Sequence, residues 1–586
     1  MKPNKEQNDI INYFTSEEKV KRVISVEAPP GTGKTYTAVA TCINYINVKL
    51  KQDSRYNKKA LILTFSKNAR AQIEKQLDEL CYSDNKLKKY IEITNFHSFF
   101  QKYVWAYSKY IGLNQDLIIT SPKQRKKILD ERLSYINKYT GDDYQYSWID
   151  SLLEGEFYPL YNGNIRPSVR KIMSYKDDII KVIKTINKEG YIGFSDLGYY
   201  MNELLNKSPD LLRVIQSKYE LIILDEYQDA SNLQDEIVKK LVGETNKAVF
   251  FSDSKQMIYG WRGASSDRIA NLFKFYNEEI VNMEFIESMR FRNKKDIENL
   301  INEVRDNFYD INTFESSSNV EYIKMEVEDK NMYSRMNKNK MYSALQYKIK
   351  NNLPRYDDMK NKSVGILCRS NEQVEFLQRA FREKFKIHTK IISNNEEEHN
   401  IVCDLIEFLE SPEDIISKDE LSKEISKYIF SVIYDDSIGA IKRNKLDSVS
   451  FSNYNNARLP ILREIASFIK EADESKNYIE CIYKSINSLI NTDLKINYDN
   501  MSLLRKILYD SNIKKDKITD LFLQYQYLKS FKELEGIYIL NIHQSKGREF
   551  EFVYLIDRET LNKEDNLLYV GVSRTKEKLV ILDWVQ

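Results

Sequence analysis

The sequence predicts an α/β protein built on parallel sheets covered by helices on both faces. Short, unbroken apolar runs rich in β-branched residues recur along the 586-residue chain. They lie at Val23–Val26, Leu61–Phe65, Ile91–Thr94, Leu221–Leu224, Ala248–Phe251, Val364–Cys368, Ile537–Ile542, Phe552–Ile556 and Leu579–Leu582. Helical stretches alternate with them, among them Lys67–Leu80, Glu372–Lys384 and Asp565–Thr575. A strand buried on both faces reads as a continuous apolar run, and a parallel pair needs a crossover, so this alternation indicates parallel sheets. Most of the runs also end on a polar cluster. Ligands of such sheets bind beyond the carboxyl ends of the strands, so chemistry is expected there.

Two regions lack this rhythm. Residues 100–206 are helical and polar with a basic stretch from Lys123 to Lys127, and residues 399–530 are mostly helical after an acidic patch at Glu396–Glu398. Both read as insertions into the α/β framework, and their charge runs as solvated helix faces. Composition bounds the rest. Net charge is +2 with 30% charged residues, so any positive surface for nucleic acid must be a local groove and not a basic tail. The five cysteines form no CxxC pair, which excludes a zinc ribbon or iron–sulfur cluster read from sequence and fits reduced thiols. The N-terminus has no signal-peptide core, and no apolar run reaches the roughly 18 residues a bilayer demands. A cytoplasmic protein with no membrane partner is expected.

The first polar cluster follows Val23–Val26 and precedes a helix. It comprises Ala28, Pro29, Pro30, Gly31, Thr32, Gly33, Lys34 and Thr35, a P-loop with Ala28 in place of the first glycine. Gly31 and Gly33 let backbone N–H groups face phosphate oxygens at the helix N-terminus. Lys34 can reach the β- and γ-phosphates of a nucleoside triphosphate and the Thr35 hydroxyl can ligate Mg²⁺. A second cluster, Asp225-Glu-Tyr-Gln-Asp229, ends the run Leu221–Leu224. Asp225 is placed to hold Mg²⁺, and Glu226 to polarise the attacking water as general base.

From here the motifs resemble those of the UvrD/Rep/PcrA family of superfamily 1 helicases, in the family's order. Asp225 to Asp229 is similar to the DExQD box, and Phe194-Ser-Asp-Leu197 to the FxDL element. Thr64-Phe-Ser-Lys-Asn68 and Thr94-Asn-Phe-His-Ser98 resemble two motifs lining the DNA path. Ser252 to Ala264 resembles GDxxQxIYxxRGA, Ser288-Met-Arg-Phe291 stands where NYRS is usual, Asn541 to Phe550 resembles TxHxxKGLEF, and Tyr569 to Thr575 resembles YVAxTRA. The resemblance spans residues 7–575. It implies two RecA-like P-loop NTPase lobes with ATP between them, each carrying a mainly helical inserted subdomain. The expected division is 1–99, 207–280 for the first lobe around insertion 100–206, and 281–398, 531–586 for the second around insertion 399–530.

The resemblance also implies roles. Gln7 would read the adenine edge, Gln256 would sense the γ-phosphate, and Glu549 would bond the ribose. Arg290 and Arg574 would reach the γ-phosphate from the second lobe when the cleft closes, which suits a planar, always-charged guanidinium. Phe65, Tyr259 and Trp261 would form pockets for DNA bases, with Asn68, His97, Arg262 and His543 along the strand. Two departures fall at the adenine: Met289 stands where a stacking tyrosine is usual, and Tyr36 where an arginine is. The expectation is that the aromatic has changed sides, Tyr36 stacking the base opposite Met289. The activity implied is an ATP-dependent translocase or helicase on single-stranded or tailed duplex DNA, moving 3′→5′. An alternative is a DNA-responsive regulatory ATPase subunit working with a separate nuclease or repair partner, for example in anti-phage defence. The Lys-, Asn-, Ile- and Tyr-rich composition fits an AT-rich bacterial or mobile-element genome and leaves that alternative open. The chain ends shortly after Thr575, so no C-terminal tail or fused nuclease is expected.

Overall fold

The computed structural model describes residues 3–306, with breaks at 17–19, 66, 83–84, 121, 135–148, 150–151, 155–159, 162–163, 166–173, 261–263 and 266; beyond them it describes 316–326, 351, 362–371, 373–374, 377, 391–392, 467, 470, 536–556, 561 and 566–585. The chain divides into two compact units, residues 1–392 with 534–586, and residues 393–533. The expected second insertion, 399–530, lies almost wholly outside the described residues.

The first unit holds two six-stranded sheets. The first contains β1 (Val23–Glu27), β2 (Lys59–Thr64), β3 (Ile91–Asn95), β4 (Tyr219–Leu224), β5 (Lys247–Ser252) and β6 (Ile280–Glu284). Their order is β6-β1-β5-β4-β2-β3, every pair parallel. The second contains β7 (Val320–Glu326), β8 (Ser363–Cys368), β9 (Ile391–Ile392), β10 (Gly536–Asn541), β11 (Phe550–Ile556) and β12 (Thr575–Val585). Their order is β7-β12-β11-β8-β10-β9, again parallel throughout. The chain is therefore of the predicted α/β class with two parallel-sheet lobes. The β-branched runs of β1, β4, β5 and β8 are buried on both faces. Among the described residues no helix is long and apolar enough to cross a membrane.

Sheet order positions the chemistry. β1, β5 and β4 are neighbours at the centre of the first sheet, so the segments leaving their carboxyl ends emerge side by side. The P-loop leaves β1, the Asp253–Gln256 turn leaves β5, and the Asp225–Asp229 turn leaves β4. Two cross-links fix them: the Ala28 N–H donates to Ser252 O at 2.8 Å and the Asp225 N–H to Leu63 O at 3.0 Å.

Three boundaries differ from expectation. β6 pairs with β1, so the first lobe extends past residue 280, to at least Glu284. The helix Phe96–Ala106 crosses the expected edge of the first insertion at 100, and Phe99, Phe100 and Tyr103 share one core with Val23, Leu61, Leu197 and Met201. The ends of that insertion thus belong to the first lobe's own packing. The predicted helix Asp565–Thr575 is shorter, Leu567–Val572, with Thr575 already opening β12.

The basic stretch in that insertion is not wholly a solvated face. It lies in the helix Pro122–Arg132, and Arg125 is 1% exposed. Its guanidinium donates to Asp196 Oδ2 at 2.6 Å and to Asn187 Oδ1 at 3.1 Å, and the Gly193 N–H donates to the same Asp196 oxygen at 3.0 Å. Asp196 is the acid of the Phe194–Leu197 element, so that element ties the insertion to the lobe. Removing one member of a buried pair strands a charge away from water, at a cost of about 3–5 kcal/mol. Asp196→Leu should therefore destabilise the first lobe by about that amount in urea unfolding. The double variant Arg125→Met/Asp196→Leu should recover most of it.

Candidate functional site

The P-loop takes the backbone its glycines permit. Gly31 and Gly33 have φ of +77° and +88°, in the left-handed region, and Gly33 caps the helix Lys34–Gln52 without any side-chain bond. The N–H groups of that first turn therefore remain available to an anion. The loop is closely packed: a Cβ on Gly31 would come within 2.7 Å of Arg290 Cβ, and one on Gly33 within 2.4 Å of Gln7 Nε2. Thr32 Oγ1 donates to Pro29 O at 2.7 Å, and Lys34 Nζ to Ala28 O at 2.8 Å.

Gln7 and Met289 lie against this loop. Gln7 Nε2 donates to Thr32 O at 2.9 Å, while Gln7 Oε1 accepts the Asn4 N–H at 3.0 Å in a capping box on the helix Lys5–Tyr13. One N–H and one lone pair of the amide are left over. The Met289 and Arg290 N–H groups both donate to Gly31 O, at 2.9 and 3.2 Å. Asn4 Nδ2 lies 4.0 Å from Met289 Sδ. Tyr36 is half-buried on the helix that follows the loop.

At the end of β4 several carboxylates are buried together. Asp225 is 5% exposed and Asp229 7%. Burial, and then the charge of Glu226, push the Asp225 carboxyl well above the usual carboxylate range. Burial would also raise Glu226, but Lys34, Lys546, a hydrogen bond from Gln228 at 2.6 Å and Arg574 together hold it down. Lys34 Nζ lies 3.9 Å from Glu226 Oε1. Glu226 itself has φ +56°, a conformation a side-chain-bearing residue keeps only where its surroundings impose it. These residues fit the expected ligands. A carboxyl that burial and a like charge push up is one a divalent cation would hold ionised, and Thr35 follows Lys34 on the same turn.

The second lobe completes the cluster. Lys546 pairs with Asp229 at 2.6 Å, both side chains nearly inaccessible, and also donates to Gln256 O at 2.6 Å. Arg574 Nη2 donates to Gln256 Oε1 at 3.1 Å, and Gln256 Nε2 to Asp253 Oδ2 at 3.0 Å. The Tyr569 hydroxyl donates to that same Asp253 oxygen at 3.0 Å. Arg290 donates to Ser573 O at 2.9 Å and forms an ion pair with Glu549. The two residues expected at γ-phosphate and ribose are thus bonded to each other here. Lys546, Asp229, Asp253 and Tyr569 were not among the predicted site residues. The Lys in TxHxxKGLEF and the last Asp of DExQD were visible signals, but nothing in the sequence pairs them.

The expected DNA residues are only partly brought together. Tyr259 donates to His543 O at 3.3 Å, its ring lies 6.1 Å from the His543 ring, and Lys546 Nζ sits 5.1 Å from its centroid. Phe65 packs on buried Phe96 at 4.8 Å, so it is held as a platform at the edge of the core. His97 meets the half-exposed Phe194 edge-on at 6.0 Å. Trp261, Arg262 and the Asn68 side chain lie outside the described residues.

Comparison with known proteins agrees with this architecture. The UvrD/REP helicase N-terminal domain matches residues 4–277, and the UvrD-like helicase C-terminal domain matches residues 536–582. The chain is 23% identical to a probable DNA helicase II homolog of Mycoplasma capricolum, over 96% of this chain and 82% of that protein. It is 22% identical to the ATP-dependent DNA helicase PcrA of Staphylococcus aureus, over 98% of this chain and 83% of that one. A probable DNA helicase II homolog of Mycoplasma pneumoniae is 24% identical over 97% and 82%. With both domains matched in order around a two-lobed parallel α/β framework, the chain belongs to the UvrD/REP helicase family.

Proposed function

We propose that the chain is an ATP-dependent DNA helicase that moves 3′→5′ along single-stranded DNA by opening and closing the cleft between its two lobes. The observation that carries this reading is the meeting of Lys34, Glu226 and Gln256 from the first lobe with Arg574 and Lys546 from the second around one buried carboxylate cluster. Relatives named DNA helicase II homolog and ATP-dependent DNA helicase PcrA support it.

In this reading, the first-turn N–H groups after Gly33 and the Lys34 ammonium bind the β- and γ-phosphates. Thr35 and Asp225 would hold Mg²⁺, which when bound offsets phosphate charge during transfer. Glu226 stays ionised at neutral pH because its pKa is held down, so it can accept a proton from an attacking water. Gln256 orients that water. Arg574 and Arg290 supply positive charge from across the cleft, a contribution worth roughly 10³-fold or more in comparable sites. To do so, each exchanges a present partner, Gln256 for Arg574 and Glu549 for Arg290. The contacts holding the lobes together therefore depend on nucleotide state, and that dependence converts hydrolysis into movement. Phe65 and Tyr259, with Trp261, offer faces for bases; stacking of about 1–3 kcal/mol per base tolerates any sequence, as a motor requires. Asn68, His97, Arg262 and His543 would track the phosphates.

Glu226→Gln should lower DNA-stimulated ATP hydrolysis by roughly 10²- to 10⁴-fold while single-strand binding persists. The unaltered chain should displace the strand of a 3′-tailed duplex and leave a 5′-tailed one intact. The opposite tail preference would overturn the direction. Stimulated hydrolysis with no displacement of either substrate would favour the regulatory subunit over the helicase. At the adenine, Tyr36→Ala should weaken ATP binding by roughly three- to tenfold, measured with a fluorescent ATP analogue. An unchanged affinity would remove the Tyr36–Met289 sandwich from the reading.

A further inference from the structure

A cavity of about 610 Å³ lies among the helices of the first lobe's insertion and shares no lining residue with the nucleotide cleft. Three segments wall it: the turn Ser108–Ile111 with Gly112 and Leu113, the helix Lys176–Lys188 and the helix Asp196–Lys207. Its lining is basic and aromatic, with Lys109, Lys184 and Lys188 beside Tyr110, Tyr199 and Tyr200. The other two charges in the lining, Glu203 and Lys207, pair with each other at 2.6 Å. Among the described residues, none of the remaining three ammonium groups has a carboxylate partner. The cavity therefore carries three positive charges that nothing offsets.

Packing does not call for this arrangement. Lys184 and Lys188 stand one turn apart on the same helix face, a spacing at which like charges repel. Tyr110 is 70% exposed, a large ring kept in water beside those cations. A Cβ on Gly112 would meet nothing within 4 Å, so the wall is open there. With a net charge of only +2 over the whole chain, positive potential must be concentrated locally, and a concave wall focuses it on an anion.

The lining also specifies which anion. Ammonium groups take phosphate as point charges, and tyrosine faces take flat rings. Both features belong together in a nucleoside phosphate, and the volume lies in the range of small-molecule sites. An acidic peptide would satisfy the lysines and leave the rings unused. Lys184 Nζ stands 4.8 Å from the Tyr199 ring centroid. A phosphate that draws this ammonium away frees the ring face for a base, and base stacking outweighs one exposed cation–π contact.

We propose that this cavity is a second nucleotide site, separate from the P-loop. Its ligand is a nucleoside phosphate, with the phosphate on Lys109, Lys184 and Lys188 and the base against Tyr199 or Tyr110. The inference does not rest on the functional reading above. Such a ligand has two sources, a free nucleotide or one unit of a DNA strand. Their chemistry at the cavity is the same, so the probes below separate them.

The test is photo-crosslinking on the full chain, with azido-ATP as the free nucleotide and iodouracil-substituted oligo-thymidine as the strand. Adducts are mapped by peptide mass spectrometry. Tyr110 or Tyr199 should be labelled by at least one probe. Lys184→Glu/Lys188→Glu should cut that labelling by roughly tenfold or more, with adducts in the P-loop cleft and DNA-free ATP hydrolysis unchanged. Lys184→Gln/Lys188→Gln, which puts no acid at the helix C-terminus, should fall between; thermal melting checks that both variants fold. Labelling by the oligonucleotide alone assigns the site to a strand, and by azido-ATP alone to a free nucleotide. No adduct at either tyrosine, or adducts that survive charge reversal, would overturn the site. Absence of cleft adducts in the unaltered chain would instead strike the functional reading, so the two failures are distinct.

Discussion

The cleft is organised by the problem of keeping several carboxylates out of water. Asp225, Asp229 and Asp253 are buried and Glu226 is half-buried at the carboxyl ends of β4 and β5, where the order of a parallel sheet brings their turns together. Like charges in a dry site are costly unless cations enter with them. Lys34 comes from the same lobe, but Lys546 and Arg574 come from the other. The first lobe alone thus leaves these acids poorly balanced, and apposition of the second lobe supplies the compensation. That charge balance favours contact between the lobes.

This balance is adjustable because the cations hold exchangeable partners. Arg574 rests on the Gln256 side-chain oxygen, and Arg290 on Glu549 and a backbone carbonyl. The partner of Arg574 is neutral, so a phosphate can compete for that guanidinium without stranding a charge; Glu549, the partner of Arg290, keeps the charges of Lys576 and Arg574 near it. Lys546 differs, since losing it would leave Asp229 unpaired in the interior.

Much of this was legible in the sequence where the signal is local. The apolar runs gave nine of the strands of the two sheets, and the spacing of Gly31 and Gly33 anticipates their left-handed backbone. Strands β6, β7 and β9 escaped: Ile280–Glu284 buries only its first residue fully, Val320–Glu326 is broken by Glu321 and Lys324, and Ile391–Ile392 is only two residues long, so none reads as a continuous run. Arg125 read as one more charge on a solvated helix because its partner Asp196 lies on a different helix. Lys546 and Asp229 stand in motifs, but their pairing joins residues 317 positions apart and left no mark in either motif. Pattern along a chain reports which face of an element is apolar; it carries no record of which distant charge a buried charge will meet.

The central claim is that Gln256 and Arg574, from opposite lobes, act as one unit in hydrolysis. A double-mutant cycle on DNA-stimulated kcat, using Gln256→Ala, Arg574→Ala and the pair, tests this most directly. The account predicts that the double variant is about as slow as the slower single one, since both residues serve the same γ-phosphate in one closed site and either loss disables it. Losses that multiply would mean the two residues contribute independently, and would contradict a site completed across the cleft.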